Sequence, residues 1–79
     1  MEKLDLTQLK EGKVGVVVDI QGGFGLIRRL EVLGIRVDEK VIKVSSQFAK
    51  GPVTLKVGNT QVALGFGIAK KIIVRAKEK

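Results

Sequence analysis

Residues 22–35 carry the one helical periodicity in this chain that is long enough to specify an element. At about 100° per residue, Leu26, Ile27, Leu30 and Leu33 fall within an arc of roughly 120°, with Phe24 at its edge. Arg28, Arg29 and Val32 point the other way. One face is therefore expected to pack on a core, and the other to present two arginines around an exposed valine. Glycines mark the ends. Gly22, Gly23 and Gly25 are expected to supply φ > 0 turns from a strand into the helix, spanning Phe24 to Leu33. Gly34 fits the left-handed residue that stops it, with Ile35 folding back onto Leu30.

The rest of the chain reads as short strands. Leu4 to Leu9 is a lead-in. Val14 to Ile20 is the first strand, with Val14, Val16, Val18 and Ile20 alternating onto one face and Gly15, Val17 and Asp19 onto the other. After the helix, Arg36 to Lys40 is a polar turn. Val41 to Phe48 is a second strand whose inner face is ambiguous, because Val41 and Ile42 are adjacent. A loop at 49–52 follows, ending in the breaker Gly51-Pro52. Val53 to Val57 and Thr60 to Leu64 flank the two-residue hairpin turn Gly58-Asn59. Gly65 to Lys70 is irregular, with room for one helical turn, and Ile72 to Ala76 is the last strand. A chain of 79 residues is one domain, 1–79, and a small one. It has no cysteine to staple it, so its core must come from Val, Ile and Leu. A sheet this small leaves costly edges unless it closes. The expected architecture is mainly β: a five-strand SH3-like barrel, with one amphipathic helix inserted after the first strand and packed across one opening.

Residue types exclude most chemistry. Without His, Cys or Tyr the usual nucleophile–base pairs cannot be assembled, and Ser45 and Ser46 have no candidate base, so no enzyme is expected. Gly23-Phe24-Gly25 opens the helix as a dinucleotide fingerprint would, but Arg28 stands where the third glycine belongs, and no nucleotide cofactor is expected. A metal site would be weak and oxygen-only, drawn from Asp19, Glu31, Asp38 and Glu39, and no spacing singles one out. The formal net charge is +7. Such a balance suits nucleic acid, an anionic membrane surface or an acidic partner. The basic residues are scattered, and the tail Lys70, Lys71, Arg75, Lys77 and Lys79 reads as a solvated end. Three Phe with no Tyr or Trp offer few stacking platforms, and no helix-turn-helix partner precedes the helix, so specific nucleic-acid binding is not expected. The opening Met1-Glu2-Lys3-Leu4-Asp5 is acidic where a signal peptide would be basic, and no apolar run could insert in a bilayer. The reading is a cytoplasmic protein, with a homo-oligomer left open.

At the glycine cluster, the Arg28-Arg29-Leu30 core and the closing Leu33-Gly34, the chain resembles the FeoA family, the small cytosolic component of ferrous iron uptake. Leu6 to Gly15 is similar to the family's opening. Val62-Ala63-Leu64, Ala69, Ile72 and Val74 are similar to its close. Val37-Asp38 departs from the family's Pro-Gly turn, and Gly65-Phe66-Gly67 replaces a more polar segment. The resemblance implies a non-catalytic module acting with the membrane GTPase and transporter FeoB. The contact residues expected for it are Arg28, Arg29, Val32, Arg36 and Phe66. Phe66 also has the alternative reading of a glycine-flanked core aromatic. The same barrel occurs at the C-terminus of DtxR-type repressors, which implies a second reading, a metal-responsive regulatory domain.

Overall fold

In the computed structural model, which describes residues 3–46 and 51–77, the valine-rich strands alternate as their period requires, and two irregularities decide which residues reach the core. The elements in chain order are β1 (Lys3–Asp5), β2 (Val14–Ile20), α1 (Phe24–Val32), β3 (Lys40–Ser46), β4 (Val53–Val57), β5 (Thr60–Leu64), α2 (Phe66–Ala69) and β6 (Ile72–Ala76). The strands form one antiparallel sheet in the order β1-β6-β2-β3-β4-β5. The expected five-strand closed barrel is thus corrected to an open sheet of six. The added strand is the lead-in, where Leu4 pairs with Val74 and covers the outer edge of β6. Helix α1 accordingly follows the second strand, not the first, and no barrel opening exists for it to cross. The edges are blunted unequally: β1 is short and charged, as natural edge strands are, while β5 is neutral.

Strand β2 buries Gly15 and Val17 rather than Val14, Val16 and Val18. Val17 pairs with Val74, but Asp19 pairs with Ile73, so Val18 is an extra residue in a bulge. The bulge inverts the alternation and returns Ile20 to the core opposite Ile72. A second bulge at Val44 separates the Lys43–Leu55 and Ser45–Thr54 pairs. The ambiguous strand β3 turns Val41 and Lys43 inward. Lys43 is buried, and its Nζ donates to the Thr7 carbonyl oxygen at 3.1 Å. Burial pushes its pKa below the usual lysine value, while the charges of Glu11 and Asp5 pull it back up. The expected strand end at Gln47 and Phe48, and the first half of the expected loop at 49–52, lie outside the described residues.

The core gathers Leu6 and Leu9 from the turn after β1, Leu30 of α1, Ile35 beyond it, and inward residues of all strands from β2 to β6. The Leu6 N–H donates to the carbonyls of Ala69 and Ile72, tying that turn to α2 and β6. The hairpin turn at Gly58-Asn59 and the single helical turn of α2 form as expected.

Candidate functional site

Helix α1 begins without a side-chain cap. Gly23 precedes it at φ −80°, ψ 177°, and the first helical bond runs from the Ile27 N–H to the Gly23 carbonyl at 3.1 Å. None of Gly22, Gly23 and Gly25 takes a positive φ, which corrects the expected turn geometry. At Gly22 a Cβ would lie 2.6 Å from Leu26 Cδ2, the end of a side chain that can turn aside. The far end closes as the sequence predicts. Gly34 has φ +91°, its N–H donates to the Glu31 carbonyl, and the Ile35 N–H reaches back to the Leu30 carbonyl, each at 2.9 Å. This is the Schellman pattern, and it delivers Ile35 to the core fully buried.

The turn that follows is bridged by a bond of 3.0 Å from the Glu39 N–H to the Arg36 carbonyl. Its third residue, Asp38, has φ 78°, the value that a type II turn requires and that glycine supplies most cheaply. The Val37-Asp38 departure therefore keeps a left-handed residue at this turn, but on an L side chain. The Asp38 N–H anchors the turn to the Val17 carbonyl at 2.7 Å.

Leu30 is the one buried residue of α1, with Leu26 and Ile27 half-buried against the core. Leu33, expected inside, is 42% exposed, because it is the C-cap and the chain turns away there. Arg28, Arg29 and Val32 all face solvent, Val32 at 86%. Phe24, expected at the edge of the buried arc, is 84% exposed. Phe24, Arg28 and Val32 stand four residues apart, so they form a single stripe down the helix. That spacing was the signal for Phe24.

Among the described residues Arg28 makes no salt bridge to Glu31, three positions further along the helix. Among the described residues the salt bridge is between Arg36 Nε and Glu39 Oε1, at 3.9 Å and exposed. Arg36 also lines a depression of about 310 Å³ beside the helix, with Asp19, Ile20, Ile27, Glu31 and Val37. Phe66 sits on a different element. It is half-buried at the start of α2, with Lys70 Nζ 5.9 Å from its ring centroid. Of the carboxylates weighed for a metal, Asp19 and Glu31 share the depression with Arg36, and Glu39 pairs with Arg36. No three such groups converge among the described residues. Hard cations need six or more oxygens, which two carboxylates beside a guanidinium do not offer.

Helix α1 thus docks on a small antiparallel sheet through Leu30, with Leu26 and Ile27 beside it, and presents apolar and arginine side chains together on its outer side. Residues 4–76 match the FeoA domain family. The chain is 35% identical over 69 residues to a protein of Methanocaldococcus jannaschii named "Putative Fe(2+) transport protein A", covering 87% of this chain and 82% of that one. This chain belongs to the FeoA family. Among solved structures it resembles an iron uptake regulatory protein (FeoA), with a TM-score of 0.87 and 27% identity, over 98% of this chain and all of that one. A manganese-dependent transcriptional repressor in complex with manganese shares the fold at a TM-score of 0.85 and 20% identity, over 98% of this chain but 38% of the repressor. The SH3-like fold expected from the sequence is the fold observed, in its open form.

Proposed function

We propose that this chain is a non-catalytic cytosolic accessory protein of ferrous iron uptake, acting by contact with a FeoB-type membrane GTPase and transporter. The observation that carries the reading is the stripe Phe24, Arg28 and Val32. An almost fully exposed phenylalanine and valine on one helix face are costly to leave in water, and arginine between them is the charged residue enriched at interfaces. Membership of the FeoA family, and the Fe(2+) transport named for the archaeal relative, supply the process. Among the described residues no helix is long and apolar enough to cross a membrane. Arg29, Arg36 and Phe66 complete the proposed contact set, with Arg36 on the flank of the helix and Phe66 contributing its half-exposed edge.

The test is capture of the cytosolic GTPase portion of the FeoB-type partner by this chain. Capture that survives physiological salt is the expected result, because the stripe is apolar at both ends. No capture, or capture lost as soon as salt is raised, contradicts the reading.

The likeness to manganese-dependent repressors supports a second reading at the level of fold, a metal-responsive regulatory domain. Titration with ferrous iron or manganese, followed by metal analysis, separates the two. A stoichiometric metal favours the regulator, and none favours the adaptor.

A further inference from the structure

The sheet gathers basic residues that lie scattered along the chain. Val16 of β2 is paired with Arg75 of β6 on one side and with Lys40 of β3 on the other, and Arg75 pairs onward with Lys3 of β1. In the adjoining outward row, Val14 pairs with Ile42, and Ile42 with Lys56 of β4. Lys77, just past β6, donates its N–H to the Val14 carbonyl at 2.9 Å. Directly opposed residues of antiparallel strands share a face. Lys3, Lys40, Lys56 and Arg75 therefore lie on the face turned away from the core, and all are exposed, as is Lys77. Lys40, Lys56 and Lys77 line an open depression of about 460 Å³, together with half-buried Val14 and Ile42 and the exposed Gly58. Among the described residues no carboxylate lines it. Among the described residues, the acids paired on this face, Asp5 and Asp19, stand toward its other end, each opposite Ile73, and Asp5 accepts bonds from the Thr7 N–H and hydroxyl. None of the five cations is in a salt bridge among the described residues.

We infer that this outer sheet face docks on an anionic phospholipid surface. Cations spread over neighbouring strands about 4.8 Å apart, with the described acids toward the other end of the face, match a plane of phosphates. A single nucleic-acid strand asks for aromatic platforms, but the described phenylalanines, Phe24 and Phe66, belong to the helices. A duplex asks for an element that projects into a groove, and these side chains rise from the sheet itself. An acidic protein segment would need exposed apolar anchors, whereas Val14, Val16 and Ile42 are half-buried. A bilayer asks only for cations held together within a Debye length of it. Val14, Val16 and Ile42 are half-buried among these cations, so the association is peripheral, reversible and salt-sensitive. It uses residues separate from the α1 stripe and does not depend on the function proposed above.

Co-sedimentation with vesicles tests it, using phosphatidylcholine alone and phosphatidylcholine with phosphatidylserine in equal parts. The protein should bind the mixed vesicles at low salt, ignore the neutral ones, and release as salt rises. Each charge near such a surface contributes about fivefold, so Lys40→Gln, Lys56→Gln and Lys77→Gln together should weaken binding on the order of 100-fold. Lys10→Gln, Lys70→Gln and Lys71→Gln remove the same charge from other exposed positions and should leave binding nearly unchanged. Both variants should melt like the wild type. Failure to bind the mixed vesicles, equal binding to neutral ones, or equal loss in the second variant overturns the inference. So does a DNA duplex that displaces the protein from vesicles at physiological salt.

Discussion

The outer face of helix α1 leaves Phe24 and Val32 almost wholly in water with Arg28 between them, whereas the outer face of the sheet half-buries Val14, Val16 and Ile42 beneath exposed lysines. The two faces are rich in the same charge, yet they suit different partners. Apolar side chains act at contact distance and demand a complementary surface, so the helix face selects. Lysines on a sheet act over a Debye length and need a plane of charge rather than a shaped pocket, which suits the lipid surface inferred for the sheet face. The lesson is that a net charge of +7 says little until the sheet register shows where the charge lies.

The comparison can be broken first at the platform beneath the helix face. Leu30 is the residue of α1 that is buried, and Leu30→Ala should lose roughly 2–5 kcal/mol in a thermal or denaturant melt. Under conditions where the variant remains folded, its binding through α1 should weaken while its vesicle binding through the sheet persists. Loss of both together would mean that the two faces are one cooperative unit.

A smaller effect is expected at the end of the helix. Gly34→Ala forces an L side chain into φ +91°, with its Cβ 3.3 Å from Val57 Cγ1. It should cost on the order of 1–2 kcal/mol, and an unchanged melting midpoint would show that the helix stop does not rely on Gly34. Smaller still, and opposite in sign, Asp38→Gly relieves the left-handed aspartate of the next turn. A gain of about 0.5–1 kcal/mol in the same melt is expected, and a loss would show that the Asp38 side chain stabilises the turn.

These two turns also show what was legible in advance. Gly34 and Ile35 carry a local signal, and the helix stop, the back-folded isoleucine and the hairpin at Gly58-Asn59 all formed as read. What could not be read depends on distant pairing. The three-residue β1 exists because Leu4 meets Val74 at the far end of the chain. Lys43 can turn inward because the Thr7 carbonyl, 36 residues away, accepts a hydrogen bond from its Nζ. The alternation in β2 pointed to the wrong valines because one extra residue, Val18, reverses it halfway along. At the candidate site, Arg28, Arg29 and Val32 were placed on the outer helix face by periodicity alone. Phe24 was placed at the edge of the buried arc, although it stands about 120° from Leu30 around the helix and about 40° from Arg28. The basic sheet face was missed for the same reason as β1: its members meet only through register.

The claim that the helix face is the selective one is tested most directly by a calorimetric titration of the cytosolic FeoB-type partner with the Arg28→Glu, Val32→Glu double variant, beside a melt of the same protein. Both residues are exposed, so stability should stay within about ±0.5 kcal/mol of wild type. Binding should fall by at least tenfold, about 1.4 kcal/mol, as expected when central interface residues are reversed in charge. A double variant that melts normally and binds the partner as the wild type does would contradict the account and place recognition elsewhere on the molecule.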